Sequence, residues 1–240
     1  MSSVVSAFDN ASRDYLKYAH IQKYAAASLA RWLPESRKGS VLELGAGPGV
    51  FTRYLVPWEN NVFATDGSEA MCRLGKMYVP SVAWKCSDAL TPLEGPWDML
   101  CSSSMLQWTS DPEVMLCNWK SVLAPKGRIL CSLFVEGTLS EWESVSGLKP
   151  PLVWRTPVKW EESLHLAGFK VTRHETETKV FFSSSAIESL KAIHRIGASP
   201  KPMLGSGHLR RLIRDYEERF NTPSGIPLSW VIYRFEATVN

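Results

Sequence analysis

Nine residues carry the strongest chemical signal in this 240-residue chain: Val41-Leu42-Glu43-Leu44-Gly45-Ala46-Gly47-Pro48-Gly49. A short β-favouring run enters three glycines spaced two apart. Glycine tolerates positive φ and lets backbone approach a ligand closely. Dinucleotide-binding turns read G-x-G-x-x-G, and a pyrophosphate sits on their glycines and the following helix N-terminus. Here the pattern is G-x-G-x-G, an acid stands two residues before the first glycine, and Pro48 removes one N–H donor from the loop. An acid and a missing donor suit a cation better than a diphosphate.

Further acids follow at regular intervals. Asp66 lies 17 residues after Gly49, and Asp88 is followed by Ala89. A carboxylate at the end of a second strand can accept two hydrogen bonds from ribose hydroxyls. One at the end of a third strand can accept from an adenine amino group, with the Ala89 N–H beside it. Taken singly, Asp66 and Asp88 read equally well as turn or cap residues. Taken with the loop, three acids at three successive strand ends form a site for a nucleoside bearing a positive charge. That points to a sulfonium, S-adenosylmethionine.

These residues need elements to hold them in register. Residues 1–33 repeat Tyr15, Tyr18/Ala19, Gln22, Ala25/Ala26 and Leu29 at helical spacing. Short β-rich runs follow at Ser40–Leu44, Asn61–Thr65, Val82–Cys86, Trp97–Ser102 and Gly127–Phe134. Helical patterns lie between them at Phe51–Val56, Glu69–Met77 and Pro112–Leu123. Alternating strands and helices imply right-handed β-α-β units and a mainly parallel sheet. Beyond Phe134 the order is a helix at Pro157–Ala167 stopped by Gly168, a strand at Lys170–Phe182, helices at Ala186–Ile196 and Gly207–Phe220, and a last strand at Leu228–Glu236. The expected fold is α/β and Rossmann-like: a mainly parallel seven-strand sheet with helices on both faces and a helical insertion between the last two strands. The expected organisation is a single domain, 1–240. It comprises an N-terminal helical cover (1–33), a cofactor-binding core (40–182), an insertion or lid (183–222) too small to bury a core of its own, and the closing strand (228–236).

Composition narrows the function classes. Hydrophobic residues make up 45% of the chain and charged residues 21%, ordinary for a globular protein, while 15 Gly and 15 Pro exclude collagen-like sequence. No apolar stretch has the length of a membrane helix, and no basic-then-apolar segment opens the chain, so no secretory signal is expected. Five scattered cysteines without C-x-x-C, and five histidines without H-x-x-x-H, argue against a disulfide framework and a metal site. A reducing, cytoplasmic setting is the expected home. The net charge of +3 is unevenly spread: Lys191, Arg195, Lys201, Arg210, Arg211 and Arg214 are six bases in a stretch without an acid. The patch lacks the interleaved aromatics of a nucleic-acid surface.

The sequence resembles the class I S-adenosylmethionine-dependent methyltransferases. Within them it is similar to the malonyl-acyl carrier protein O-methyltransferases of biotin synthesis (BioC type). Four segments carry that closer resemblance: Phe8-Asp9-Asn10-Ala11-Ser12-Arg13-Asp14-Tyr15 with Gln22; Met105-Leu106-Gln107-Trp108-Thr109-Ser110-Asp111; Gly137-Thr138-Leu139-Ser140-Glu141; and residues 190–198. Two positions depart from the family's usual pattern: Gly67, where an apolar residue is usual, and Lys126, where Pro-Gly-Gly is common. The resemblance implies methyl transfer to the free carboxylate of a malonyl thioester. Such a group is already ionised near neutral pH and needs no general base. On this reading the cofactor is held by Gln22, Glu43, Gly45, Ala46, Gly47, Gly49, Asp66, Gly67, Asp88, Ala89 and Ser103, with backbone of Ser102–Ser104 near the methyl group. Tyr15, Tyr18, Gln107 and Trp108 are expected to cover the reacting groups.

Arg155 is the first candidate to hold one carboxylate oxygen, although a solvated surface arginine is an equally fair reading. The bases from Lys191 to Arg214 would dock an acidic, malonyl-loaded acyl carrier protein; malonyl-coenzyme A is a possible substitute, and neither nucleic acid nor a membrane is expected as a partner. Two alternatives stay open: a methyltransferase for another small carboxylic acid of the aconitate type, and a non-catalytic module that binds a partner through the basic insertion.

Overall fold

The computed structural model describes residues 15–146, 154–195 and 206–239. The Phe8–Asp14 part of the first resembling segment, the last residues of the fourth, and Lys201 lie outside them.

Seven strands form one sheet: β1 Val41–Leu44, β2 Val62–Asp66, β3 Ala83–Cys86, β4 Trp97–Ser103, β5 Leu123–Phe134, β6 Phe169–Ser183 and β7 Ile226–Val239. Their order is β3-β2-β1-β4-β5-β7-β6. The first five pair in parallel, and β7 runs antiparallel to both neighbours. The winding reverses between β1 and β4, so the carboxyl ends of those two strands open a crevice. All four β1 residues are buried, as expected of a central parallel strand, and one of them is the charged Glu43.

The helices are α1 Tyr15–Tyr18, α2 His20–Ala30, α3 Glu69–Tyr78, α4 Pro112–Ser121, α5 Ser140–Ser146, α6 Pro157–Leu166, α7 Ala186–Arg195 and α8 Ser206–Phe220. Local chemistry sets their starts. Ser68 accepts from the Met71 N–H at 3.1 Å, Asp111 from Val114 at 3.1 Å and Thr156 from Lys159 at 3.2 Å, with Pro112 and Pro157 just inside their helices.

Two expected helices differ. The N-terminal pattern is broken at Ala19, and α2 stops at Ala30 rather than running to residue 33; Trp32 and Leu33 instead close three-residue turns onto Leu29 and Ala30. Between β1 and β2, the expected Phe51–Val56 helix is replaced by two 3₁₀ segments, Thr52–Tyr54 and Val56–Asn61. Pro57 has no N–H to donate four residues back, so the chain closes shorter turns there. The last two strands are longer than their apolar alternation indicated, because β6 and β7 stay paired from Phe169↔Val239 to Ser183↔Ile226.

Three apolar clusters hold the layers together. Trp119, Trp160, Phe169 and Phe235 fill one face of the sheet, under α4 and α6. Leu29, Phe51, Leu55 and Trp58 fill part of the other. The third joins Ala19 and Ile21 of the N-terminal cover to Ile193 of α7, Leu212 and Tyr216 of α8, and Leu228 and Trp230 of β7. Trp142 of α5 meets Tyr216 with ring centroids 4.1 Å apart. The Gly137–Glu141 segment is laid against β7: Leu139 N–H donates to Ser229 O at 2.8 Å, Val231 N–H to Thr138 Oγ1 at 3.0 Å, and Ser229 donates to Glu141 from both its N–H and its hydroxyl. Among the described residues no helix is long and apolar enough to cross a membrane.

Candidate active site

A cleft opens at the β1–β4 reversal. Its wall includes Gln22 of α2; Glu43, Gly45, Ala46, Gly47 and Pro48; Asp66 and Met71; and Ser103, Ser104, Met105 and Trp108 after β4. About 520 Å³ of space, part of it open solvent, lies within and above it.

The glycine loop keeps almost no donors for a ligand. Ala46 N–H donates to Thr65 O at 2.9 Å, Gly47 N–H to Asp66 Oδ2 at 2.8 Å and Gly49 N–H to Ala46 O at 3.0 Å. Pro48 has none to give. From Ala46 to Gly49 the loop is therefore no anion cradle. Gly45 has no room for a side chain, and Gly47 adopts a backbone conformation that favours glycine. Gly45 has φ +68°, and a Cβ on it would lie 2.3 Å from Met105 Cγ; Gly47 has φ +56° and open space where its Cβ would be.

Glu43 lies beneath this loop, 1% exposed. Its Oε2 is buried without a hydrogen-bond partner. Burial pushes the carboxyl up to about 8; the nearby Thr52 hydroxyl pulls it down and the negative charge of Asp66 pushes it further up. An unpaired buried carboxylate is costly to ionise. A ligand with a positive charge in the cleft removes that cost. Gln22 adds a second buried acceptor without a partner, Oε1. These acceptors and the donor-poor loop fit S-adenosylmethionine and do not fit a diphosphate.

Asp66 pins the loop as well as lining the cleft: Oδ2 accepts from Gly47, and Oδ1 accepts from Ser68 N–H at 2.9 Å. Ser103 Oγ and Ser132 Oγ are 3.1 Å apart. The structure thus brings together Gln22, Glu43, Gly45, Ala46, Gly47, Asp66, Ser103 and Trp108 from the expected set.

Other members lie off the cleft wall. Gly49 is turned toward Val79 and Trp84, and Gly67 O accepts from the Cys86 thiol at 3.6 Å. Asp88 folds back on its own turn, accepting from Leu90 N–H at 2.9 Å, while Ala89 O accepts from Trp119 Nε1 at 2.7 Å. Gln107 Nε2 donates to Ser104 O at 2.8 Å. Tyr18 packs at the edge of the third cluster, as Trp108 does, and Tyr15 opens α1. Arg155 is not at the mouth: its guanidinium lies 3.2 Å from Glu113 Oε1, donates to Ser163 Oγ at 2.8 Å and stands over the Trp160 ring. A carboxylate on α4 and a hydroxyl and an aromatic face on α6 hold it there, with Nε buried and unpartnered. Sequence reasoning missed the apolar lining of Val50, Phe51, Met71 and Met105. The signal was adjacency: Val50 and Phe51 follow the loop directly, and Met71 sits in the first turn after β2.

Comparison with known proteins agrees with this geometry. The methyltransferase-domain family matches residues 16–190. The chain belongs to that family. It is 27% identical to a malonyl-[acyl-carrier protein] O-methyltransferase of Hahella chejuensis, over 95% of this chain and 87% of that one. A protein of the same name from Porphyromonas gingivalis is 29% identical, over 92% and 89%. Among solved structures, magnesium protoporphyrin IX methyltransferase from Synechocystis with bound SAH superposes with a TM-score of 0.59 at 16% identity, covering 95% of this chain and 86% of that one. This methyltransferase uses S-adenosylmethionine as its methyl donor.

The basic segment of the methyltransferase is less uniform than its sequence suggests. Lys191 pairs with Glu188 at 2.7 Å, and Arg214 lies 3.4 Å from Asp215 and 3.7 Å from Glu218. Arg210 and Arg211 are exposed on α8 with no ion pair among the described residues. Arg195 ends α7.

Proposed function

We propose that this methyltransferase esterifies the free carboxylate of a malonyl thioester borne by acyl carrier protein, giving the methyl ester used in biotin (pimeloyl) synthesis. The observation that carries the reading is the chemistry of the cleft wall. Among the described residues it holds no His, Lys, Cys or Tyr, and its only titratable side chains are Glu43 and Asp66. Asp66 is committed to two backbone N–H groups, and Glu43 lies under the glycine loop. Neither is set to take a proton from an acceptor. A carboxylate brings no proton that must leave, so such a wall suffices. The names of the Hahella and Porphyromonas relatives support the same acceptor.

When bound, S-adenosylmethionine supplies a sulfonium methyl that a carboxylate oxygen takes in one displacement, leaving a neutral thioether. Glu43 would face the positive end of the donor, and Asp66 would meet its ribose. Gly45 and Gly47 let the backbone come close. Trp108 and the apolar residues Val50, Phe51 and Met105 keep water from the line of attack. Orientation of two reactants in such a site supplies up to roughly 7–11 kcal/mol. Arg210 and Arg211, exposed on α8, are the bases best placed to steer an acidic carrier protein.

Mass spectrometry of malonyl-carrier protein after incubation with S-adenosylmethionine tests the reaction and the acceptor together. The expected result is a gain of one methylene mass on the acyl group. Methylation of a free diacid with none on the thioester would reject the reading. Reversing Arg210 and Arg211 to Glu should slow the carrier-borne substrate about tenfold at low salt and leave malonyl-coenzyme A unaffected. Equal loss on both would remove α8 from docking.

A further inference from the structure

Three consecutive serines run from the end of β4 into the turn after it, and the third behaves differently. Ser102 Oγ donates to Leu44 O at 2.8 Å, and Ser103 Oγ meets Ser132 Oγ. Both hydroxyls are used inside the sheet. Ser104, the next residue, has φ +62°, in the left-handed region that a non-glycine residue rarely adopts. Its N–H donates to Ser132 O at 2.8 Å, which anchors the backbone there, and the residue lines the cleft. Its Oγ is buried without a hydrogen-bond partner. Buried hydroxyls are almost always satisfied, and backbone held in such a conformation collects at functional sites.

The cleft divides by preference. Around the glycine loop stand acceptors: Glu43 Oε2, Gln22 Oε1 and the Asp66 carboxylate. Ser104 lies beyond β4, beside the Met105 that packs on Gly45, and offers the opposite character, an O–H donor. The arginine expected to bind the acceptor is held by Glu113 and Ser163. We propose that the Ser104 hydroxyl donates to the non-attacking oxygen of the acceptor carboxylate and so fixes which acceptors are used. This rests on the carboxylate reading above. A neutral donor holds one oxygen and leaves the charge of the other intact for attack, whereas a guanidinium clamp would blunt both. The Ser104 oxygen is closed off from water, so the contact requires the atoms around it to give way to the acceptor.

The test uses Ser104→Ala, Ser104→Gly and Ser104→Asn, with turnover on malonyl-carrier protein and calorimetry with S-adenosylhomocysteine. Loss of a hydrogen bond to a charged group should raise KM for the thioester about tenfold or more in the Ala variant, with S-adenosylhomocysteine affinity held within about twofold. Gly relieves the backbone but lacks the hydroxyl, and should show the same KM. Asn tolerates the left-handed region and carries an N–H donor, and should recover most of the loss. An unchanged KM in the Ala variant, or wild-type KM in the Gly variant, overturns the contact. A parallel loss of S-adenosylhomocysteine affinity overturns it by placing Ser104 on the donor. Absence of thioester methylation by the unmutated protein overturns the carboxylate reading and this contact with it.

Discussion

Among the described residues two charged side chains are buried, and their surroundings are opposite. Glu43 in the parallel half is 1% exposed and has an oxygen with no partner. Arg234 on β7, in the antiparallel half, is 4% exposed and paired with two carboxylates, with only its Nε buried and unpartnered. Its guanidinium lies 2.6 Å from Glu175 and 2.9 Å from Glu177 on β6, donates to the Ser28 hydroxyl on α2, and stands 5.4 Å from the Trp32 ring. Tyr24 and Ser28 of α2 also donate to Glu177, at 3.1 and 3.0 Å. The cluster fastens α2, which carries Gln22, to the last two strands. A buried charge that the protein neutralises itself is part of its framework; a buried carboxyl with no cation beside it is open to a charged ligand.

The largest effect should come from the neutralised charge. Arg234→Met leaves Glu175 and Glu177 without their cation; both carboxylates reach solvent, so the cost is that of lost hydrogen bonds between charged groups, about 2–3 kcal/mol. A Tm lower by roughly 10 °C is expected for a chain of this length. A melt within about 2 °C of wild type would make the clamp incidental.

Glu43→Gln should show the reverse pattern: no loss of Tm, but at least about tenfold weaker binding of S-adenosylmethionine. The pH dependence follows from the raised carboxyl. Folding keeps Glu43 protonated between its ordinary value of 4.5 and about 8. Its stabilising protonated form is fully present below 4.5, and that contribution is lost as pH rises through about 8. Melting curves of the ligand-free protein should therefore decline across that window, and Glu43→Gln should flatten this part of the decline. A cationic donor favours the ionised carboxylate, so binding near pH 7 should release a proton. Calorimetry in two buffers of different ionisation enthalpy reads that release. Equal heats in both buffers would separate Glu43 from the donor.

The smallest effect sharpens the boundary of the clamp. Tyr24→Phe removes one donor to Glu177, which keeps Ser28 and Arg234, and should cost about 0.5–1.5 kcal/mol. Denaturant midpoints check this. A cost as large as that of Arg234→Met would mean the cluster acts as one indivisible unit.

The two halves also differ in how far sequence alone describes them. The parallel half is local: strand, turn and helix follow within a few residues, so Val41–Gly49, Asp66 and Ser68–Met71 announce the crevice by spacing. The reading of the loop as unsuited to phosphate came from Pro48 and Glu43, and its remaining N–H groups prove to be spent on Thr65, Asp66 and Ala46. The parallel pairing of the first five strands and the place of the insertion followed from the alternation of patterns; the strand order itself came from the structure. Arg234 looked like one more charge in Leu228–Glu236, because its partners lie about 57 to 206 positions away. Arg155 lies off the cleft and Asp88 turns onto its own backbone for a related reason. Each has a nearer partner, Glu113 with Ser163 for one and Leu90 N–H for the other, that a linear reading cannot rank against a ligand.

Residue order alone determined the glycine-loop end of the cleft, since a β-α-β crossover puts a glycine turn and its following acids at neighbouring strand ends without outside help. Tertiary packing alone decided which polar groups remain unsatisfied there: Glu43 Oε2, Gln22 Oε1 and Ser104 Oγ. Satisfaction depends on what comes within about 3 Å, and that distance is set by contacts between segments far apart in the chain.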